Sequence, residues 1–163
     1  MKKALIALMI LFAAGAVAYA QAAAPAPQAA NQEQYLELLR SDLKTQKVAL
    51  ITEGMQMTDA DAAIFWPIYR KYDAELTVLG DERIAIIKDF AQNLSALTAV
   101  KAEELTNRTF AFFENRLKLQ KKYYKEIAKA LNPIFAGKFM QIERQINAIV
   151  DLQISDEIPL ITK

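Results

Sequence analysis

The sequence of 163 residues contains no histidine and no cysteine. Without an imidazole or a thiol, the chain cannot form a Ser-His-Asp or Cys-His nucleophile, a Cys/His zinc site, a His-ligated haem or a disulfide. We therefore expect no metal ion and no cofactor. Carboxylate pairs such as Asp81 and Glu82 diverge by about 100° on a helix and do not converge on one substrate. We expect no catalytic residue and predict that the protein is not an enzyme.

The chain also lacks a strong excess of either charge, since 20 basic residues stand against 19 acidic ones. The net charge of +1 gives no electrostatic reason to expect nucleic-acid binding. The near balance conceals an uneven distribution. Residues 31–100 carry seven basic and eleven acidic side chains, a net of −4, whereas residues 101–144 carry ten and five, a net of +5. The second region is where an acidic partner would be attracted.

The first twenty residues have the pattern of a cleavable signal peptide. Lys2 and Lys3 precede an uncharged, mostly apolar run over residues 4–17, and the segment ends at Ala18-Tyr19-Ala20. The run is shorter than the roughly 20 residues that a membrane-spanning helix needs, which disfavours the alternative of an anchor. We predict cleavage after Ala20 and a periplasmic location, where a chain without disulfides depends on packing for its stability.

Composition then predicts three further segments. Residues 21–31 contain no aromatic, branched or charged side chain and are predicted to be a flexible leader, with an Ala-rich helix as the alternative. Residues 32–154 are predicted to form a single all-helical domain. Residues 155–163 are predicted to be a non-helical tail, because Pro159 is incompatible with a helix interior. The apolar side chains of this tail dock either on the chain's own helices or on a second chain.

Apolar periodicity predicts about four helices and no strand. Helix one covers about 32–53, with leucines at steps of three, four and seven, and Gly54 is expected to end it. Helix two is predicted as one helix from 59 to about 93, because its apolar stripe continues through Gly80. At 1.5 Å per residue it is roughly 50 Å long, so we predict an elongated helical hairpin or bundle with two long antiparallel helices. The predicted stripe is Phe65, Tyr69, Tyr72, Leu76, Leu79, Arg83, Ile86 and Phe90.

Pro67 lies inside predicted helix two and should bend it. Two interpretations stay open: the bend lets the helix wrap its partner, or it makes the molecule curved with a concave face. Helix three is predicted to end near Leu131, and helix four to begin at Pro133. The predicted apolar face of helix three is Phe110, Phe113, Leu117, Tyr124, Ile127 and Leu131, and that of helix four is Phe135, Phe139, Ile142, Ile146 and Ile149.

Three helix starts share one pattern, in which a capping side chain follows an apolar residue. The third start adds Pro at the first helical position, where its missing N–H costs nothing. The pattern predicts where helices two, three and four begin. Its residues are Met57, Thr58 and Asp61 at the first start, Leu97, Thr98 and Lys101 at the second, and Asn132 and Pro133 at the third.

The first two starts, 40 residues apart, each resemble the L-T-x-x-Q box that opens helices in the Spy/CpxP family of periplasmic proteins, with Asp61 and Lys101 at the glutamine position. The third resembles the L-T-P starts of that family. The resemblance covers roughly residues 40–150. It implies a thin, curved helical dimer that binds unfolded or aggregating envelope proteins without ATP, or that damps an envelope-stress sensor kinase. It implies no catalytic residue.

Two surfaces are candidates for contact with a client or a partner. One is a row of lysines spaced four, three and four apart, which project from one face of helix three. A helix dipole and pairing with acidic helix two would explain this row structurally, whereas a cationic surface for acidic clients or anionic lipid would explain it functionally. The lysines are Lys118, Lys122, Lys125 and Lys129.

Trp66 is the second candidate, because it lies off the stripe of helix two and is expected to be partly exposed. The other aromatic residues have helical spacing, which predicts core packing and not a cofactor site. We expect a non-enzymatic periplasmic protein that binds unfolded or aggregation-prone envelope proteins without ATP. The alternative is a regulatory or structural module that binds one folded partner, for example the periplasmic domain of a sensor kinase. Self-association into a homodimer and contact with a membrane surface stay open.

Overall fold

The computed structural model of the chain describes residues 44–161. The chain divides into a unit of Met1–Arg40 and a unit of Ser41–Lys163, and the described residues all belong to the second unit. The predicted signal peptide, the predicted leader and residues 32–43 of predicted helix one therefore lie outside the described residues.

Within the described part the fold is all-α, as predicted, and residues 44–161 contain no strand. Helix α1 covers residues 44–55, α2 covers Asp59–Asn93, α3 covers Ala99–Ala130 and α4 covers Pro133–Glu157. A 3₁₀ turn over Leu94–Ala96 joins α2 to α3. The 35 residues of α2 extend over about 50 Å at 1.5 Å per residue, so the unit is an elongated bundle.

The two long helices, α2 and α3, are antiparallel. Next to their connection Lys101 on α3 contacts Asp89 on α2, and further along Lys122 contacts Glu75. Residue numbers therefore rise along α3 as they fall along α2. The α3 helix also packs along α4, and side chains of α2 and α4 meet across the centre of the bundle. The predicted architecture of two long antiparallel helices in a bundle is confirmed.

The main hydrophobic core lies where all four helices overlap. Its aromatic rings meet edge to face, with Phe65 and Phe139 5.2 Å apart and Tyr72 and Tyr123 5.3 Å apart between ring centroids. This is the geometry that aromatic rings prefer in protein interiors. A second, smaller cluster near the α2–α3 connection is built on Ile86, Leu105 and Phe112. The predicted stripe of α2 faces these two clusters.

The α2 helix is continuous through both residues that could have interrupted it. A Cβ added at Gly80 would meet nothing within 4 Å, so packing does not require glycine there. Pro67 also lies inside α2, and the bend expected at this residue stays a prediction.

The end of α1 differs from the prediction that Gly54 terminates the helix. The helix continues through Gly54, and the residue with left-handed backbone is Gln56, with φ 49°. A Cβ on Gly54 would lie 2.7 Å from Cδ1 of Ile142. Glycine is therefore explained by the close approach of α4. Lys138 on α4 supports this end by donating a hydrogen bond of 2.8 Å to the Met55 carbonyl.

The end of α4 also differs from the sequence prediction, which started a non-helical tail at residue 155. The helix runs to Glu157, and Ser155 Oγ donates a 2.7 Å hydrogen bond to the Asp151 carbonyl within it. Pro159 cannot continue the helix and disfavours helical backbone at Ile158, but residues up to Glu157 stay compatible with the helix, which therefore extends further than a tail beginning at 155 allows. Beyond the helix, Ile158 and Ile161 line a groove, although Ile161 is still 60 % exposed, and Leu160 is 86 % exposed.

Candidate functional site

The first two helix-start motifs cap their helices. Thr58 Oγ1 accepts a hydrogen bond from the Asp61 backbone N–H at 3.1 Å and donates one to Asp61 Oδ2 at 2.8 Å. Thr98 caps α3 by accepting from a backbone N–H in the first turn. Met57 and Leu97, the apolar residues that precede the caps, pack against the two hydrophobic clusters. Helix capping and core packing account for these residues.

The third motif starts α4 in a related way. Asn132 Oδ1 accepts a hydrogen bond of 2.8 Å from the Phe135 backbone N–H, and Pro133 occupies the first helical position. The capping amide satisfies a backbone donor that the helix itself leaves without a partner. This motif is also accounted for by the fold.

Lys101, at the glutamine position of the second motif, holds the α2–α3 hairpin together. Its backbone N–H donates to Thr98 Oγ1, while its Nζ lies 2.8 Å from Asp89 Oδ2 on α2. Arg108 donates to the same carboxylate oxygen at 2.7 Å. These contacts, with the Lys101 hydrogen bond the strongest, hold the pKa of Asp89 below its ordinary value, and the same hydrogen bond raises the pKa of Lys101. The charged contact therefore favours the closed hairpin.

The four lysines of the predicted row are all exposed on one side of α3. Lys122 Nζ lies 2.6 Å from Glu75 Oε1 on α2, and Lys118 Nζ lies 3.9 Å from Glu114 Oε2 one turn away. Because these groups are largely in water, each pair is worth at most about 1 kcal/mol. The pairing with α2 fits the structural explanation of the row, while exposed Lys125 and Lys129 extend the positive surface beyond it.

Trp66 is partly exposed, and its ring packs on neighbouring aromatic residues of α2. It packs edge-on against Phe65 and Tyr69, with centroids 5.2 Å and 5.4 Å away, and it borders the main core. The indole is therefore held by the core and only partly accessible to a ligand. Trp66 and the lysine row lie on different helices, and within residues 44–161 no hydrogen bond or cation–π contact joins them.

The predicted apolar face of α3 is wrong for most of its length. Phe110 is 60 % exposed, Leu117 50 %, Phe113 42 % and Tyr124 38 %. Of the predicted face, only Ile127 is fully buried. Besides Ile127, α3 buries Leu105, Phe112, Leu119 and Tyr123, which the prediction did not include.

The reason lies in the charged residues that share the buried face of α3. Arg108 and Arg116 lie among its buried apolar residues and look like solvent-facing positions in the sequence. Each finds a carboxylate on a neighbouring helix, Asp89 for Arg108 and Asp151 for Arg116. Because these ion pairs form, the side of α3 that carries Arg108 and Arg116 packs against the bundle. The side that carries Phe110 then faces outward.

The exposed residues form a surface that we name the α3 stripe, defined as Phe110, Phe113, Leu117 and Tyr124. Their steps of three, four and seven place them on one side of the helix, over about 20 Å at 1.5 Å per residue. At 100° per residue, the α3 stripe and the lysine row diverge by roughly 120° across the outer face of α3. An extended or helical ligand that covers this outer face would contact apolar and positive side chains together.

A buried polar cluster, which the sequence reading missed, lies in the centre of the bundle. Glu143 on α4 is fully buried, and its Oε1 accepts hydrogen bonds from Tyr72 at 2.7 Å, Lys47 at 2.9 Å and Asn147 at 3.1 Å. Burial, followed by the Glu143 charge, raises the pKa of Tyr72. Within the described residues Glu143 Oε2 has no hydrogen-bond partner. The sequence does contain a signal for this cluster: Phe139, Glu143 and Asn147 follow one another at steps of four, which places the two polar residues on the same side of α4 as a core aromatic.

A second charged cluster joins α2, α3 and α4. Arg83 NH1 donates to Asp151 Oδ1, and Arg116 donates to both oxygens of the same carboxylate, at 3.0 Å and 2.7 Å. Phe112 packs against both guanidinium groups at 5.2 Å. Burial opposes ionisation of Asp151, but the hydrogen bonds from Arg116 and Arg83 outweigh it and lower the pKa. The single polar position in the predicted α2 stripe, Arg83, is therefore a partly buried ion-pair partner.

Beside this cluster an apolar groove of about 320 Å³ lies between α2, α3 and the end of α4. Its walls include Ile86, Phe90, Leu105 and Phe113, and Arg83 also lines it. In residues 44–161 no group of three or more acidic side chains is placed to hold a metal ion. No helix in this part of the chain is long and apolar enough to cross a membrane.

The chain matches no known protein family, and no curated protein or solved structure is significantly similar to it.

Proposed function

We propose that the protein is a non-enzymatic binding protein of the periplasm that holds unfolded or aggregation-prone envelope proteins on the outer face of α3, without ATP. The observation that carries the proposal is the α3 stripe, in which four large apolar side chains on a single helix are 38–60 % exposed. Single exposed apolar residues are ordinary, whereas a contiguous set at helical spacing is typical of an interaction surface.

The lysines near the α3 stripe indicate which clients it would favour. Lys118, Lys125 and Lys129 are exposed on the same outer half of the helix, so the surface combines apolar and positive groups. Acidic, partly unfolded chains would be attracted by the charge and retained by apolar contacts. The resemblance of the helix starts to the Spy/CpxP boxes and the pattern of a signal peptide support the same function and location.

The alternative is a regulatory or structural module that binds one folded partner, such as the periplasmic domain of a sensor kinase. The spacing of the α3 stripe favours it in one respect, because steps of three and four match the seam into which a partner helix packs. This alternative predicts one specific complex of defined stoichiometry. It also predicts no protection of unrelated denatured proteins.

Light scattering of a chemically denatured client, diluted into buffer with and without the purified protein, separates the two functions. We expect suppression of aggregation at stoichiometric protein, without nucleotide, and weaker suppression at high salt. Absence of protection at stoichiometric amounts would contradict the chaperone-like function.

Charge-neutral variants test the part that the lysines take. A variant with Lys118, Lys125 and Lys129 changed to Gln should protect less and lose most of its salt dependence. A variant with the exposed α2 residues Arg70, Lys71 and Lys88 changed to Gln loses the same three charges, is the matched control and should protect like the parent protein. An equal loss in both variants would mean that the lysine row has no specific role.

A further inference from the structure

The groove between α2, α3 and the end of α4 is a second candidate site, separate from the outer face of α3. Its volume of about 320 Å³ falls at the lower end of the range of small-molecule pockets, roughly 300–1,000 Å³. Apolar side chains of α2, of α3 and of the segment after α4 form its walls, among them Ile86 and Phe90 of α2, Leu105 of α3 and Ile158. The groove therefore suits the apolar part of a small ligand.

The hydroxyl groups in the groove do not change this apolar character. Thr106, Thr109 and Ser155 each donate their proton to the backbone carbonyl four residues earlier, at 2.8 Å, 2.9 Å and 2.7 Å. Their protons are thus engaged within their own helices, and toward the groove they offer only acceptor lone pairs. Hydrogen-bond donors for a ligand come from another side chain of the wall, Arg83.

The charges around Arg83 do not balance. Arg83 and Arg116 are 16 % and 14 % exposed, and both bind the one carboxylate of Asp151. The cluster therefore carries one surplus positive charge in surroundings that include the ring of Phe112. Cations held away from water attract an anion more strongly than exposed cations do. The hydrogen bond to Asp151 uses NH1 of Arg83, and the planar guanidinium carries further N–H donors suited to a carboxylate.

We propose that this groove binds a free fatty acid of medium chain length, with its carboxylate at Arg83 and its acyl chain along Ile86, Phe90 and Leu105. The apolar volume, the guanidinium donor in its wall and the surplus charge together fit an anionic single-chain amphiphile. Its site is distinct from the α3 stripe, since only Phe113 belongs to both. The inference goes beyond client binding and stands or fails independently of it.

Dodecanoate, kept below its critical micelle concentration, is the probe. In protein labelled with ¹³C at isoleucine methyl groups, we expect saturable NMR shifts of Ile86, Ile87 and Ile158 with one molecule bound per chain. The methyl groups of Ile51 and Ile127, fully buried in the main core, should stay in place. Shifts spread evenly over all isoleucines, or none, would overturn the proposal.

Head-group comparison tests the role of the surplus charge. Dodecanol should bind about tenfold more weakly than dodecanoate, as expected for loss of one charge-assisted hydrogen bond, and dodecyltrimethylammonium should not bind. Arg83→Gln should weaken dodecanoate about tenfold and leave dodecanol unchanged. Equal affinity for the three head groups would overturn the assignment of Arg83.

A groove-filling variant keeps the test decisive even if Arg83→Gln fails to fold. Thr106 is exposed at the groove, so Thr106→Phe should occupy it and abolish binding of dodecanoate and dodecanol alike. Val100→Phe, on the same helix and away from the groove, is the matched control and should bind like the parent. Unchanged binding in Thr106→Phe, with helical content retained by circular dichroism, would refute the site.

Discussion

Tyr72 on α2 and Glu143 on α4 share a hydrogen bond of 2.7 Å in the centre of the bundle. The same carboxylate oxygen binds Lys47 of α1, so one buried acid joins three of the four helices. Glu143 is the shared acceptor of this cluster, because its removal leaves both the Tyr72 hydroxyl and the Lys47 ammonium without the oxygen that they bind. The positions of α1, α2 and α4, and hence the frame that α3 packs against, depend on this cluster.

Removing Glu143 should be among the most destabilising single changes in the described part of the chain. Glu143→Ala leaves Lys47 and the Tyr72 hydroxyl without their acceptor and should cost about 3–5 kcal/mol of unfolding free energy. Tyr72→Phe removes one hydrogen bond and should cost about 1–2 kcal/mol. Urea unfolding followed by circular dichroism measures both.

A combined variant separates the loss of pairing from the loss of packing. Glu143→Met together with Lys47→Met replaces the ion pair by apolar groups, and we expect it to recover most of the stability lost in Glu143→Met alone. If the double variant is less stable than the single one by a further full increment, the two side chains do not act as a pair.

The ion pairs of Asp151 should make stability depend on pH in the acid range. The pKa of Asp151 lies below its ordinary value of 3.8, so its contribution is fully present above that value and is lost as pH falls through the lower folded pKa. Asp151→Asn should therefore lower stability by about 1–2 kcal/mol at pH 7. This difference from the parent should shrink as the pH falls below 3.8.

Asp156→Asn is the control for this pH dependence, because Asp156 is exposed on the same helix. It should follow the parent at every pH. A difference between Asp151→Asn and the parent that is constant from neutral to acid pH would mean that the carboxylate charge is not what stabilises the cluster.

The glycines of α1 and α2 should respond oppositely to alanine. Gly80→Ala adds a methyl group into open space in a helix interior and should stabilise by about 1 kcal/mol. Gly54→Ala places a methyl group 2.7 Å from Ile142 Cδ1, so the helix-propensity gain should be offset or reversed. Thermal unfolding of the two variants gives the comparison, and equal stabilisation would mean that the Ile142 side chain moves aside without cost.

Gln56 offers an independent check of the same region. Its φ of 49° is left-handed, a conformation that costs a non-glycine residue about 1–2 kcal/mol. Gln56→Gly should raise the unfolding free energy by about 0.5–1 kcal/mol after the entropy of glycine in the unfolded chain is subtracted. A lower melting temperature in this variant would show that Gln56 is not strained there.

Most of the fold was predictable because its signals are local. Thr58, Thr98 and Asn132 cap their helices with side chains that act within one turn, so the starts of α2, α3 and α4 could be read from sequence. The stripe of α2 was also predictable, because its apolar residues keep one period over the whole helix. Two helix ends were predicted wrongly. Gly54 does not end α1, because it is needed where α4 packs closely, and Ser155 does not begin the tail, because α4 continues to Glu157.

Two features could not be predicted from local signals: which side of α3 is buried, and the burial of Glu143. The α3 helix has apolar residues at helical spacing along two different lines, and periodicity alone does not decide which is buried. The decision comes from Asp89 and Asp151, carboxylates on other helices that draw Arg108 and Arg116 inward. Likewise Glu143 is tolerated in the core because Tyr72 and Lys47 approach it from α2 and α1.

Site-specific photo-crosslinking tests the central claim, that clients bind the outer face of α3, most directly. A photoreactive phenylalanine analogue is placed at Leu117, in the centre of the α3 stripe, or at Leu152, which is 71 % exposed on α4 and serves as the matched control. With a denatured client present during irradiation, we predict a crosslinked product from position 117 several times more abundant than from position 152. Equal yields at both positions, or a higher yield at 152, would contradict the α3 stripe as the binding surface.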